Sequence, residues 1–309
     1  MASVVARTIS DPSSRSMSSA RVLLDRLVER CTFPDPGTPV VCALSGGPDS
    51  SALVALAAHV GLDVTAVHVH HGLRDSADAD AATARRIAGA LDVEFRSEHV
   101  DLDDGSNLED RARRARQRVL GPDALTGHTA DDQAETLLLA LIRGSGARGL
   151  AAMRPGPTHP LLALRRADTV AVCDALALEP AIDPTNSDPR FRRNRVRHDV
   201  LPLLDRLAER DLAPILSRTA SLLRDDDDLL DELAAALDPA DARALAAAPL
   251  PLARRSLRAW LSLDGYPPTV AEIDRVLDVA RGDAEACEIS GRRRISRSGQ
   301  RLSLFQNPV

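Results

Sequence analysis

Ser45-Gly46-Gly47-Pro48-Asp49-Ser50 follows the apolar run Val40 to Leu44 and opens a helix-like run from Ser50 to Val60. An apolar strand, two glycines and a helix start make a backbone cradle for phosphate, because glycine lets the main chain come close to a ligand. The helix N-terminus adds unpaired N–H groups and its dipole, and the hydroxyls of Ser45 and Ser50 are further donors. Asp49 sets a carboxylate inside this anion site. That is tolerable when a Mg²⁺ lies between the carboxylate and phosphate oxygens, so the loop points to a metal nucleotide.

Four further strings carry chemistry-bearing side chains. Val67-His68-Val69-His70-His71-Gly72-Leu73-Arg74 ends the second strand-like run with three histidines. His68 and His70 share one face of a strand and His71 opposes them, so the string reads better as a nucleotide-pocket rim or a structural feature than as a zinc site. In Gly127-His128-Thr129-Ala130-Asp131-Asp132-Gln133-Ala134-Glu135, Thr129 is an N-cap with Asp132 at N3. Asp132 and Glu135 then share a helix face and can grip a cationic substrate or a metal. Arg143-Gly144-Ser145-Gly146-Ala147-Arg148-Gly149-Leu150 is either a C-cap and turn or a mobile arginine clamp over polyphosphate. Asp183-Pro184-Thr185-Asn186 and Arg193-Asn194-Arg195-Val196-Arg197-His198 read as a loop before a helix, its arginines suited to RNA phosphate.

Composition bounds the chemistry. The 309 residues include 39 basic ones, every one an arginine, so a Walker A loop, a protein-kinase site and Schiff-base catalysis are all excluded. A net charge of −6 argues against uniform polyanion binding. The arginines are nonetheless clustered: Arg111 to Arg118, Arg190 to Arg197 and Arg292 to Arg301 each read as a phosphate patch or as a solvated helix face. Asp225 to Asp228 with Asp231 and Glu232 read as a solvated helix face or connector. Cys31, Cys42, Cys173 and Cys287 form no CxxC pair, which disfavours disulfide scaffolds, zinc ribbons and iron–sulfur sites. No apolar run reaches membrane-spanning length and no secretory h-region opens the chain, so the expectation is a cytoplasmic protein without membrane contact.

The elements that must position these groups follow from periodicity. Val40 to Leu44, Val64 to His70, Val93 to Ser97 and Ala124 to Gly127 read as strands. Ser50 to Val60, Asp75 to Leu91, Ser106 to Leu120 and Ala130 to Ile142 read as the helices between them. Such alternation predicts an α/β, doubly wound parallel sheet with ligands at its carboxyl edge. A helical tract from Arg197 to Leu237, helices over Leu250 to Leu263 and Pro268 to Arg281, and a period-2 tail from Ala286 to Leu304 predict a helical linker and a small α+β domain. The expected division is a disordered tail over 1–20, a catalytic domain over 21–200, a linker over 201–238 and a C-terminal domain over 239–309.

Taken together, SGGPDS, HVHHGLR, the Glu109 to Leu120 stretch, GHTADDQAET, RGSGARGLAAM, DPTNSD and RNRVRHDVLP resemble one family. It is the tRNA(Ile)-lysidine synthetase family of the PP-loop (N-type) ATP pyrophosphatases. The match runs over roughly residues 40 to 205, and Leu250 to Leu304 is more loosely similar to that family's substrate-binding domain. The resemblance implies an adenine nucleotide alpha hydrolase-like fold and a ligase. Such a ligase adenylates carbon 2 of the first anticodon cytidine of an isoleucine tRNA with a CAU anticodon, then joins free L-lysine to give lysidine, AMP and pyrophosphate. It implies ATP and Mg²⁺ at Ser45, Gly46, Gly47, Pro48, Asp49 and Ser50, with His70, Gly127 and His128 around the nucleotide. Lysine would fall to Arg113, Asp132 and Glu135, with Asp49 completing the catalytic set. Arg148, Arg193, Asn194, Arg195 and Arg197 would meet phosphates or tRNA. A homodimer is one assembly this reading admits. Thr129 and Gln117 stand where the family commonly has histidine and tyrosine, and an end at Val309 makes a short form. The rival readings are a PP-loop tRNA thiolation enzyme and a non-catalytic nucleotide- or RNA-binding module.

Overall fold

The computed structural model describes residues 12–70, 77–100, 108–181, 188–262 and 267–306. Its chain divides into two units, Met1–Ala220 and Ser221–Val309.

In the first unit, strands β1 (Pro39–Ala43), β2 (Asp63–His70) and β3 (Glu94–His99) pair in parallel in that order. Val41 lies opposite Thr65, and Val67 opposite Arg96. The helices are α1 (Pro12–Val28), α2 (Pro48–His59), α3 (Ala77–Ala90), α4 (Leu108–Leu120), α5 (Ala130–Ile142), α6 (Ala147–Leu150) and α7 (Arg166–Ala175).

Alternation along the strands loads both faces of the sheet. Cys42, Leu44, Val64 and Ala66 pack with Leu24 and Leu27 of α1, Leu53 and Leu56 of α2, Ile87 of α3 and Val172 of α7. Val41, Ala43, Val67 and Val69 face the other way, against Leu120 and Ala124. This two-sided covering is why β1 and β2 read as nearly continuous apolar runs. Helix α2 is buried from Ser50 to Ala57, so the loop before it is mounted on the most enclosed helix of this core. Truncating Leu53 or Leu56, both fully buried, removes roughly 2–5 kcal/mol.

Three expectations change. The strand over Ala124 to Gly127 contracts to one parallel bridge, Leu125 to Cys42. Leu125 exchanges backbone hydrogen bonds with Val41 and Ala43, but the next amide, Thr126, donates to Thr158 O at 2.9 Å and leaves the sheet. Helix α1 starts at Pro12, inside the stretch expected as a disordered tail, and is held by Leu24 and Leu27, which pack in the sheet core. The tract expected from Arg197 to Leu237 is segmented. After α8 (Arg192–Arg195), it comprises a π-helical turn (Val196–Val200), α9 (Leu201–Ala208) and α10 (Ala213–Ala235). Glu209 adopts a left-handed conformation (φ 53°) that ends α9, and Leu212 N donates to Asp205 Oδ1 in the connection. Ala134 and Leu138 of α5 pack against Val196, Leu201 and Ala213, which ties the arginine-rich segment to the helix carrying Asp132 and Glu135.

The boundary between units falls within α10, after Ala220. The second unit continues with α11 (Ala242–Ala247), which the sequence reading did not include, α12 (Leu250–Leu261) and α13 (Val270–Arg281). An antiparallel meander of β4 (Ala286–Ile289), β5 (Arg293–Ser298) and β6 (Arg301–Gln306) closes it. Leu257, Leu261, Ile273, Val276, Leu277 and Ile295 form its core. Arg255 holds Asp227 and Asp231 of α10 at 2.6 and 2.7 Å, so part of the acidic run is internally paired. No helix among the described residues is long and apolar enough to cross a membrane.

Candidate active site

The glycine loop leaves β1 and enters α2. Gly46 turns through φ +90°, and its carbonyl accepts from Ala181 N at 2.8 Å. Gly47 is the N-cap of α2 and Pro48 occupies its first turn, where a missing N–H costs nothing. The Ser50 hydroxyl donates to Gly47 O at 2.9 Å and accepts from Ser45 N at 3.2 Å. Ser50 thus braces the loop, and the hydroxyl of Ser45, an exposed residue, lies 3.0 Å from that of Ser50.

Gly127 is fixed by contact. A Cβ there would lie 2.5 Å from Asp49 O, 2.8 Å from Asp49 C and 3.0 Å from Ser50 N. The turn after Leu125 therefore presses backbone to backbone on the start of α2. Beside it, His128 Nδ1 is 2.9 Å from Thr126 Oγ1. At the carboxyl ends of β2 and β3, His70 and His99 stack at 4.7 Å. His68 is buried with Nδ1 2.9 Å from Leu44 O, and burial pushes its pKa down, which keeps it neutral. His71 lies outside the described residues.

The Asp49 carboxylate accepts from Thr169 Oγ1 and, at 3.3 Å, from Arg166 Nε. Burial pushes its pKa up against both donors, so its charge is under-compensated. Hard carboxylate oxygens and that deficit fit Mg²⁺. Among the described residues no group of three or more His, Cys, Asp or Glu is placed to hold a metal, and Asp49 is the loop carboxylate that would hold such an ion.

On α5 the capping arrangement forms as expected, and it is asymmetric in a useful way. Asp132 Oδ2 accepts from Thr129 N at 2.8 Å and Thr129 Oγ1 at 2.9 Å, which leaves Oδ1 facing the site. Oδ1 meets Arg166 Nη2 at 3.1 Å and Arg193 Nη2 at 3.0 Å. Glu135, with no exposed side-chain surface, accepts from Arg193 Nε and Arg197 Nε, each at 2.6 Å, and from Arg197 Nη2 at 3.1 Å. Arg166 reaches the same carboxylate at 3.5 Å. Burial alone would raise the Asp132 pKa, but Arg166 and Arg193 hold it below the ordinary carboxylate range. Burial likewise works against the charge of Arg166 and Arg193, and the facing carboxylates outweigh it. Asp131 turns the other way, to Arg165 Nη2 at 2.8 Å and Arg166 N at 2.8 Å, and Arg165 also clamps Asp211.

The expected site residues therefore divide. Asp49, Asp132, Glu135, Arg193 and Arg197 meet in one ion network, with Ser45 to Ser50 and Gly127 forming its floor. Arg193 and Arg197 reach protein carboxylates, where the sequence suggested RNA phosphate. Asn194 is buried and donates to Asp188 O at 2.9 Å, and Arg195 is exposed. Arg148 is exposed on α6; the following segment is clasped by the Gln133 amide, which bonds Met153 O and N at 2.7 and 2.8 Å. Arg113 lies on α4, its side chain outside the described residues, as does the stretch Asp183 to Asn186. Arg165, Arg166 and Thr169 were missed. The available signal was two arginines opening a helix, where the dipole disfavours cations unless carboxylates wait opposite.

Comparison with known proteins places these features. Residues 20–204 match the PP-loop domain family, and residues 241–303 match the TilS substrate binding domain. The tRNA(Ile)-lysidine synthase of Mycolicibacterium paratuberculosis is 43% identical over 295 residues, covering 86% of this chain and 90% of that protein. The tRNA(Ile)-lysidine synthase of Nocardia farcinica is 45% identical over 270 residues, covering 81% and 85%. Among solved structures, the U34-tRNA thiolase NcsA from Methanococcus maripaludis has a TM-score of 0.53 at 15% identity, covering 72% of this chain and 89% of that one, a likeness of fold.

Proposed function

The chain belongs to the tRNA(Ile)-lysidine synthase family of PP-loop enzymes, and from that premise we propose how its site carries out the reaction. The substrates are ATP, an isoleucine tRNA with a CAU anticodon, and free L-lysine. In the first step the O2 oxygen of the anticodon cytidine bonds to the α-phosphorus of ATP, the bond to the β-phosphate oxygen breaks, and pyrophosphate leaves. In the second step an unprotonated amine of lysine bonds to carbon 2, the C2–O2 bond breaks, AMP departs and the amine proton passes to solvent.

Both steps need positioning and charge neutralisation more than a protein nucleophile. The first-turn amides of α2 and the glycine loop cradle the triphosphate, and Ser45, exposed beside them, adds a donor once its hydroxyl releases Ser50. Asp49 would hold Mg²⁺, which when bound neutralises charge on the departing pyrophosphate. Asp132 and Glu135 seat the ammonium of lysine, and Arg113 on α4 is assigned to the same substrate. Arg148 and Arg195, exposed cations, serve tRNA or pyrophosphate. The C-terminal unit is assigned to tRNA, with Arg292 and Arg294 exposed and Arg293 spent internally on Leu261 O at 2.7 Å.

One observation carries the reading: the carboxylate at the phosphate loop and the buried carboxylate pair on α5 are joined through a single guanidinium, that of Arg166. A nucleotide carboxylate and an ammonium seat lie side by side, as an adenylation followed by amine attack requires. Sulfur transfer is disfavoured, because burial pushes the Cys42 and Cys173 thiols up to about 12 and about 11.

The test is lysine-dependent AMP release from MgATP with an unmodified isoleucine tRNA transcript. Arginine and ornithine should substitute poorly. AMP release that ignores lysine, or that needs sulfide, would overturn the assignment.

A further inference from the structure

We propose that Arg166 couples the two halves of this site, leaving the carboxylate pair when an ammonium arrives and turning to the nucleotide phosphates. The inference rests on the reading above of Asp49 as the nucleotide carboxylate and of Asp132 and Glu135 as the amine seat.

Among the described residues the network is balanced. The carboxylates of Asp49, Asp132 and Glu135 face the guanidiniums of Arg166, Arg193 and Arg197. A lysine ammonium cannot enter such a set without displacing a cation, and a triphosphate cannot enter without finding one. The three arginines are not equally held. Arg193 and Arg197 grip Glu135 at 2.6 Å. Arg166 spreads over longer contacts, 3.1 Å to Asp132, 3.3 Å to Asp49 and 3.5 Å to Glu135. It is also the one that already reaches the phosphate loop. Its anchor, the first turn of α7, stays put, because Arg166 N is bonded to Asp131 at 2.8 Å and Thr169 N to Arg165 O at 3.2 Å. The side chain can therefore swing while the helix does not.

The consequence is cooperative binding. Lysine alone must break the contacts of Arg166 with Asp132 and Glu135; nucleotide alone must break its contact with Asp49. Whichever ligand comes second finds the guanidinium already loosened, and the freed charge gains phosphate oxygens as partners. Reciprocity requires each ligand to tighten the other by the same factor.

The experiment is isothermal titration of the full chain with Mg²⁺ and α,β-methylene-ATP, with and without saturating L-lysine, and the reverse titration. The wild-type protein should show about tenfold tightening in both directions. Arg166→Gln should still bind each ligand, with the factor near one. Arg165→Gln, altered in the neighbouring clamp on Asp131 and Asp211, should keep the factor, which separates coupling from general loosening of α7. Should Arg166→Gln fail to fold by circular dichroism, Arg166→Lys replaces it. A lysine ammonium cannot span Asp49 and Asp132 at once, so its factor should fall below about threefold. A wild-type factor of one, or full coupling in a folded Arg166 variant, overturns the proposal. A protein that binds the nucleotide analogue but no lysine removes the amine assignment itself, and with it this inference.

Discussion

Gly127→Ala tests whether backbone contact sets the position of the phosphate loop. The added Cβ would sit 2.5 Å from Asp49 O and 2.8 Å from Asp49 C, with Ser50 N at 3.0 Å. A methyl carbon approaches a carbonyl oxygen no closer than about 3.3 Å, so the two segments must part by about 0.8 Å. Neither side yields easily. Leu125 is hydrogen bonded to both Val41 and Ala43, and the start of α2 is stitched to Gly47 O by the hydroxyls of Ser50 and Ser51. The strain should cost about 1–3 kcal/mol of stability, a fall in Tm of about 2–4 °C per kcal/mol. The same displacement moves the loop amides and Asp49 relative to α5, and a misplacement near 1 Å costs on the order of 10²-fold. The expectation is a 30- to 100-fold loss in kcat/KM for lysine-dependent AMP release, about 2–2.7 kcal/mol. Gly89→Ala is the matched control: its Cβ meets nothing within 4 Å, and it lies inside α3, so it should be neutral or slightly stabilising. A Gly127→Ala enzyme within about threefold of wild type would refute the argument that this contact positions the chemistry.

Asp49→Ala should abolish pyrophosphate release. In the wild-type protein, nucleotide affinity should fall as pH drops through a value above the ordinary aspartate 3.8, because burial raises this carboxyl; an active Asp49→Ala enzyme would remove the metal role. Glu135→Gln should raise the lysine KM far more than the ATP KM, and should destabilise the chain by about 3 kcal/mol by stranding Arg193 and Arg197. An unchanged lysine KM would count against the amine seat. Glu272, which accepts from Thr269 and Ser290, is lowered from 4.5 to about 2, mainly by its Ser290 hydrogen bond. Its contribution to stability is present above pH 4.5 and lost as pH falls toward 2. Thermal melts between pH 7 and pH 3 should show a smaller loss in Glu272→Gln than in wild type, and parallel curves would refute this.

What the sequence disclosed was whatever is local along the chain. SGGPDS declares its turn through two glycines and a proline, and the Asp132 and Glu135 spacing declares a shared helix face, because both depend on residues a turn apart. The clamp on Asp49 was hidden because Arg166 and Thr169 lie 117 and 120 positions away in sequence. Periodicity carries no information about which cation meets which anion at that distance. The fourth strand failed for a similar reason: Ala124 to Gly127 has strand-like composition, but the amide of Thr126 finds Thr158 O instead of a neighbouring strand. The break after α9 was invisible because Glu209 is a good helix former held in a left-handed conformation by its surroundings.

The arginines from Arg190 to Arg197 show how composition misdirects when the local anion is unknown. Five arginines in eight residues suggest phosphate, yet Arg193 and Arg197 are spent on Glu135 before any ligand arrives. They must be, since an ionised carboxylate with no exposed surface costs several kcal/mol when unpaired. That the chain supplies only guanidiniums for this task suits the proposed substrate. A planar fork satisfies two carboxylate oxygens side-on, whereas an ammonium is a compact point charge with three donors, so resting partner and incoming substrate differ in shape at the same seat. A protein without a single lysine has no ε-ammonium of its own to occupy that seat. The site can be stable while empty and still favour the amine, provided one guanidinium has somewhere else to go, and Arg166, already within 3.3 Å of Asp49, does.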